Sequence, residues 1–404
     1  MKKNILIAQS GGPTAAINAS LAGVVSYAIK SGAYDKVIGS VNGIEGVLKE
    51  NFVSMEKFKN EDNVRLLKQT PSSYLGSCRK KLSDDGEVYD EIFGIFEKHN
   101  IGVFIYIGGN DSMDTVDKIN RHAKKSGRDI SVIGVPKTID NDLVLTDHTP
   151  GYASAAKYIA NSIRQLALDT SVYDMKSIIV TEIMGRNAGW LTAAAALAND
   201  DTLSPVDIIC LPEVPFDMDS FIEKLAETEE KKQTTIVAVS EGICDKNGEY
   251  ILAGIQSQAK SDGFAHAALG GVGKHIELEI AKRLGIKTRS LEFSTLQRCN
   301  AETASQRDID ESFAQGEEGV RLAINGESGK MVGIVREIGE EYKPKITSFD
   351  VSLVANKEKR IPQNMLSSDG FGVTDEFIKY ARPLICGQPH IIYKDGIMDL
   401  ILRD

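Results

Sequence analysis

Cysteine is scarce and scattered in this chain. Cys78, Cys210, Cys244, Cys299 and Cys386 are odd in number and form no Cys-x-x-Cys pair. That excludes a disulfide framework and a cysteine-based zinc site. Long apolar runs are missing too. No stretch approaches the ~18 uninterrupted apolar residues that span a bilayer. The opening Met-Lys-Lys-Asn-Ile-Leu-Ile-Ala-Gln-Ser is broken by polar residues too early for a signal peptide. Positive charge is in the minority. A formal net charge of −10 argues against a general nucleic-acid binder, which shows a basic balance. It leaves room for a local basic pocket around an anionic ligand. The expectation is a reduced, soluble, cytoplasmic protein.

What is present is a chain of 404 residues, 42% of them hydrophobic. At about 150 residues per domain this suggests two or three full-sized cores. Short apolar runs alternate with amphipathic stretches. Strands are expected at 4–8, 37–40, 103–107 and 130–135, with helices at 15–30, 89–98 and 112–125. After Pro150-Gly151 the pattern restarts, with helices at 153–168, 187–198, 221–231 and 275–283 and strands at 177–183, 207–211 and 235–240. A tight turn at Gly326-Glu327-Ser328-Gly329-Lys330 lies between 320–325 and 331–335. Strand–loop–helix repeated in this way predicts an α/β protein built on doubly wound parallel sheets. With no long polar linker, its domains pack closely around a cleft.

Three loops at predicted strand ends draw attention, because ligands of open α/β sheets bind beyond the carboxyl ends of the strands. Ser10-Gly11-Gly12-Pro13-Thr14 reads either as a phosphate cradle at a helix start or as a plain tight turn. Gly108-Gly109-Asn110-Asp111-Ser112 invites helix capping by Asp111 or Ser112, compatible with Asn110 and Ser112 facing a phosphate or a metal. Pro136-Lys137-Thr138-Ile139-Asp140-Asn141-Asp142 is the most telling. Asp and Asn side chains bonding their own backbone account for Asp140-Asn141, but not for Lys137 against two acids. A bound metal, a polyanion or a proton to be removed would. The composition is that of a phosphoryl-transfer site.

Further on, Gly76-Ser77-Cys78-Arg79-Lys80-Lys81 is a glycine turn ending in three cations, and Arg289 and Arg298 flank 290–297. Isolated charges are solvated by default. Arg186, in Met184-Gly185-Arg186-Asn187, and Glu241, in Ser240-Glu241-Gly242, sit at strand ends. They suit a sugar phosphate, an arginine fork for the phosphate and a carboxylate for hydroxyls. Gly270-Gly271-Val272-Gly273-Lys274-His275 resembles a P-loop but has Ala268 where that motif needs glycine, and His275 where it needs Ser or Thr.

Together these motifs, with Gln297-Arg298, Ala304-Ser305-Gln306-Arg307 and Gly329-Lys330-Met331-Val332, resemble the phosphofructokinase family, and within it the pyrophosphate-dependent branch. The resemblance implies two Rossmann-like α/β domains with the active site in the cleft between them. Residues 1–150 plus about 299–370 would bind the phosphoryl donor, and 151–298 plus about 371–404 the sugar phosphate. It implies Asp140 as general base on the 1-hydroxyl of fructose 6-phosphate, with Thr138 and Asp142 positioning it. Gly11, Gly12, Arg79, Gly109 and Ser112 would bind the donor. Thr138, Ile139, Asp140, Met184, Gly185, Arg186, Glu241, Arg289, Thr295 and Arg298 would bind the sugar phosphate. ATP-dependent members carry glycine where Asp111 and Lys137 stand, so these side chains imply a slot sized for pyrophosphate. Mg²⁺ is the implied cofactor, at Asn110 and Asp111, although relatives carry aspartate at the first position. Thr295 and Ser177 also depart from the family pattern. The implied reaction is reversible and the implied assembly a homodimer or homotetramer. An ATP-dependent kinase and a non-catalytic sugar-phosphate sensor are the competing readings.

Overall fold

The computed structural model describes residues 2–84, 86–252, 271–337, 339 and 341–403. Eleven of its strands form two sheets. The first is built from β1 (Asn4–Gln9), β2 (Val37–Ser40), β3 (Phe52–Ser54), β4 (Ile101–Gly108) and β5 (Ser131–Pro136), together with two strands from late in the chain. The second contains β6 (Ser177–Ile183), β7 (Val206–Cys210), β8 (Thr234–Ser240) and β9 (Lys287–Glu292). The late strands are β10 (Lys330–Arg336) and β11 (Pro344–Asp350). The order is β11-β10-β5-β4-β1-β2-β3 in one sheet and β7-β8-β6-β9 in the other. The interior pairs are parallel, and only the edges β3 and β11 run antiparallel.

The apolar runs form strands because both faces of each sheet are covered. Ile5, Ile7, Val103, Ile105, Ile133 and Val135 enter one core, while Leu6, Ala8, Phe104, Tyr106 and Val132 enter the core behind it. In the second sheet Ile179, Ile183 and Ala238 face one way, and Ile178, Val180, Val237 and Val239 the other. Alternation of period two is what a strand imposes. All five cysteines are free. Among the described residues no helix is long and apolar enough to cross a membrane.

Two contacts fix how the layers meet. Helix Ile17–Ser31 crosses helix Gln306–Ile324 at Gly23 and Gly316. A Cβ on Gly23 would lie 2.0 Å from the Phe313 carbonyl oxygen, and one on Gly316 2.1 Å from that of Ser20. Asp308, on the same late helix, is buried and accepts from Gly151 N, Ser154 N and Ser154 Oγ at 3.0, 3.0 and 2.5 Å. That carboxylate satisfies amides at the start of helix Tyr152–Ser171, where unpaired N–H groups favour a negative charge. It ties an element packed on the first sheet to the first helix of the second half.

Some expected elements change shape. Residues 320–324 complete the helix Gln306–Ile324, and the expected turn after them leads into β10. The expected helix at 187–198 is a short α-helix, Trp190–Ala193, followed by the 3₁₀ turn Ala194–Ala198. Of the P-loop look-alike, Ala268 and Gly270 lie outside the described residues. Lys274 and His275 fall in the first turn of helix Val272–Leu284.

Candidate functional site

Because β5, β4 and β1 are neighbours, the three suspect loops emerge side by side. Ser10 N donates to Ile107 O, and Lys137 N to Gly108 O. The Lys137 side chain then crosses from the third loop to the first, where Nζ donates to Gly12 O at 2.6 Å. A Cβ at Gly11, whose φ is +77°, would stand 3.1 Å from that ammonium, and one at Gly12 3.2 Å from an Arg298 nitrogen. Two cations thus converge on the Gly11-Gly12 backbone, and Arg298 is closer to the donor cradle than its sequence position suggests. Ser77, of the basic turn, donates from Oγ to Gly11 O at 2.6 Å.

In the second loop the helix cap is Gly109, not Asp111 or Ser112. The helix runs Asn110–Lys125 with no side-chain cap, so Asp111 and Ser112 lie inside its first turn. Asp111 pairs with Lys81 at 2.9 Å, joining this helix start to the basic turn. Asn110 is engaged elsewhere. Its Oδ1 accepts from Asn356 N at 2.6 Å and its Nδ2 donates to Lys357 O at 2.7 Å.

The third loop is shaped by Thr138 more than by Asp or Asn. Thr138 Oγ1 accepts from Asp140 N at 3.1 Å, and Thr149 Oγ1 donates to Thr138 O at 2.7 Å. Asn141 is buried with φ +54°, and its amide donates to Tyr380 Oη at 2.8 Å. This left-handed residue separates two buried carboxylates. Burial pushes Asp140 up from the usual range, with Lys137 opposing. Burial and then the Asp140 charge push Asp142 up to about 7. Burial pushes Lys137 down to about 8, Asp140 partly opposing and Arg298 adding to the push. Asp142 Oδ1 is buried without a hydrogen-bond partner. A cation and two carboxylates perturbed by burial and by each other, on one loop at a strand end, mark a site for chemistry.

The second sheet faces this group with its own strand ends. Gly185, at φ +140°, donates from N to Glu241 Oε1 at 3.2 Å, and Ser240 Oγ donates to Gly185 O at 2.5 Å. Glu241 is pushed up to about 7, chiefly by burial, with Asp140 among the charges that add to it. Met184 N donates to Gln297 Oε1 at 3.3 Å, which links the loop of Arg186 to that of Arg298. Arg289 and Thr295 stand apart. Both are exposed, Arg289 within edge strand β9 in register with Ile179, and among the described residues no hydrogen bond or ion pair joins either to the three loops.

Sequence reasoning quoted Gln297 without giving it a role and missed Tyr380 and Lys359; all three hold the loops from behind. Gln297 adjoined a noted arginine. Lys359 sits in Lys357-Glu358-Lys359-Arg360, which reads as solvated charge, and Tyr380 carries no local signal.

Behind the catalytic loop, buried His148 lies between Asp147 at 2.8 Å and Glu311 at 2.7 Å. Burial alone would lower its pKa, but the hydrogen bonds of the two carboxylates hold it up at about 9. A group raised above its unfolded value of ~6.5 stabilises the fold fully below that value and loses its contribution as pH rises through the folded one. The stability advantage of the wild type over His148→Gln should therefore be complete at about pH 6 and shrink through about pH 9. Denaturant midpoints of the two proteins across that range check it, and their difference cancels the opposite contribution of Lys137. A gap that does not vary with pH would show that folding leaves the His148 pKa unchanged, and one that grows with pH would show it to be buried neutral.

A family model described as phosphofructokinase matches residues 4–316. A protein of Methylococcus capsulatus named pyrophosphate–fructose 6-phosphate 1-phosphotransferase is 38% identical, over 99% of this chain and 95% of its own length. One of the same name from Xanthomonas campestris is 39% identical, over 98% and 94%. The crystal structure of a pyrophosphate-dependent phosphofructokinase from Nitrosospira multiformis superposes with a TM-score of 0.89 at 36% identity, covering 99% of this chain and 96% of that one. With matches of this extent to both sequences and structure, the chain belongs to the phosphofructokinase family.

Proposed function

We propose that this chain transfers the terminal phosphoryl group of pyrophosphate to the 1-hydroxyl of fructose 6-phosphate, reversibly, giving fructose 1,6-bisphosphate and phosphate. The observation that carries this is the buried Lys137 ammonium, 2.6 Å from Gly12 O and on the same loop as Asp140. One short segment thereby brings a positive charge to the donor cradle and a carboxylate to the acceptor. Asp140 removes the proton of the 1-hydroxyl as its oxygen attacks phosphorus, and phosphate departs. Phosphoryl transfer is mainly positioning and electrostatic stabilisation of the equatorial oxygens, a field supplied by Lys137, Arg298 and the amides of Gly11 and Gly12. Arg186 and Glu241 hold the sugar phosphate.

The Asp111–Lys81 pair, at 2.9 Å, joins the start of the helix after β4 to the basic turn whose Ser77 bonds Gly11 O, a charged pair at a position where the family resemblance gives ATP-dependent members glycine. That favours the small inorganic donor over ATP. Mg²⁺ enters this reading as a companion of pyrophosphate, since it keeps several waters and binds through one or two carboxylates plus substrate phosphates. Among the described residues no group of three or more His, Cys, Asp or Glu forms a metal cage. Asn110 suits the ion poorly, because its oxygen already accepts from Asn356 N. Asp142, with an orphaned buried oxygen, would be the better ligand, joined by Asp111 through the oxygen not paired with Lys81. When bound, the ion neutralises charge on the phosphoryl oxygens.

Self-association completes the proposal. Exposed Leu168, Val172, Tyr173 and Met175 adjoin edge strand β9 through Lys287, whose Nζ lies 3.9 Å from Met175 Sδ. Sedimentation equilibrium distinguishes a homodimer from a homotetramer, and a monomer would refute both. Initial rates with Mg-pyrophosphate and with Mg-ATP test the donor. Pyrophosphate should win by a wide margin, and the reverse order would establish the ATP-dependent reading.

A further inference from the structure

Lys359 lies on no strand end, and Lys357, Glu358 and Arg360 around it are exposed. Its own ammonium nevertheless reaches beneath the catalytic loop. Nζ donates to Asn141 Oδ1 at 3.2 Å, Thr146 O at 3.1 Å and Asp147 O at 2.9 Å. Those three acceptors use every proton an ammonium offers. The Trp190 ring lies 5.2 Å from the same nitrogen. The backbone of Lys359 is held as firmly. Its N–H donates to Asp142 O at 2.7 Å, and its carbonyl accepts from Trp190 Nε1 at 2.9 Å.

One residue therefore grips both Asn141 and Asp142. Asn141 is where support is needed, since its backbone is left-handed at φ +54°. A non-glycine residue there persists when its surroundings over-determine it. The turn at Asn141 decides how the carboxylates before and after it are aimed. Burying an ammonium is costly unless it is fully hydrogen-bonded, and here all its bonds go to the loop and to the carbonyls just after it.

The residues before Lys359 extend the same role. Asn356 N and Lys357 O bond to Asn110 on the donor loop. Glu358 Oε1 accepts from Asn187 Nδ2, on the sugar loop, at 2.6 Å. Four consecutive residues touch the donor, sugar and catalytic loops in turn.

We propose that Lys359 is a positioning residue for phosphoryl transfer. By fixing the left-handed turn at Asn141 it sets the aim of Asp140 and Asp142 at the donor cradle, and it acts through the loop without touching substrate. This rests on the reading of Asp140 as the general base.

The test compares Lys359→Met and Lys359→Arg in the full-length enzyme, using kcat, KM for fructose 6-phosphate and the melting temperature. A misplacement of about 1 Å costs about 10²-fold. Lys359→Met is expected to lower kcat by about that factor while KM changes less than about threefold, the split of an interaction that matters only in the transition state. Lys359→Arg should recover part of the loss, because a guanidinium still donates to the same carbonyls. Unchanged kcat in a folded Lys359→Met protein would overturn the proposal, as would a KM that rises in step with the loss and is not rescued by arginine. If the methionine variant fails to fold, Asn141→Gly serves instead. It keeps the left-handed backbone and removes the Lys359 acceptor, so a selective fall in kcat supports the proposal and none overturns it. Wild type assayed in parallel with Mg-ATP separates the two readings. Preference for ATP would refute the donor assignment, and the Lys359 comparison would then be read with ATP.

Discussion

Replacing Asp140 with asparagine is expected to lower turnover about 10²- to 10⁴-fold, the range a positioned general base contributes, while fructose 6-phosphate still binds. Asparagine has nearly the same shape, and the Asp140 N to Thr138 Oγ1 hydrogen bond at 3.1 Å does not involve the side chain being changed. What disappears is the acceptor for the hydroxyl proton. Calorimetry for the sugar phosphate and steady-state kcat in one buffer separate the two effects. A variant retaining turnover within about threefold of wild type would remove Asp140 from the role of base. Burial raises the Asp140 pKa, so kcat/KM of the wild type should fall with acid at a higher pH than an ordinary carboxylate would give. That acid limb should be altered in the variant.

Lys137→Met carries the second large effect, a fall of about 10²- to 10³-fold in the pyrophosphate reaction, as when one donor to a developing anion is removed from a dry site. The side chain is fully buried and touches the cradle, so its charge acts where water screens it least. Methionine nearly matches its length, which makes the loss one of charge more than of packing. Since burial holds Lys137 down at about 8, the wild-type kcat/KM for pyrophosphate should decline as pH passes that value, and the variant should lack this alkaline limb. The joint change Asp111→Gly with Lys137→Gly extends the test. It removes the Asp111–Lys81 pair and empties the space beside Gly11, so the preference for pyrophosphate over ATP should narrow. Initial rates with both donors measure it, and an undiminished preference would place donor selection elsewhere.

Much of this site was legible along the chain because its parts are local. Continuous apolar runs such as Val103-Phe104-Ile105-Tyr106-Ile107 announce strands covered on both faces, and glycines or acids after them announce the loops. Capping was legible in kind but not in place. Gly109 takes the position expected of Asp111 or Ser112 because the chain is already helical by Asn110. The cap of helix Gln306–Ile324, where the Ser305 side chain accepts from Asp308 N, was not anticipated from the sequence. What stayed hidden depends on contacts between distant segments. Nothing near Asn110 tells that Asn356 will occupy its oxygen, and nothing near Lys359 tells that Asn141 waits for its ammonium. Arg298 approaches Gly12 only after both sheets are assembled.

The late arrival of Lys359 has a consequence for biosynthesis. All eleven strands of the two sheets have been translated once Asp350 leaves the ribosome, yet the support beneath Asn141 is still to come. A messenger cut short between those two codons would encode every strand of both sheets and omit the prop under the reactive loop. Translation through Lys359, rather than closure of the sheets, would complete the proposed support of the reactive loop.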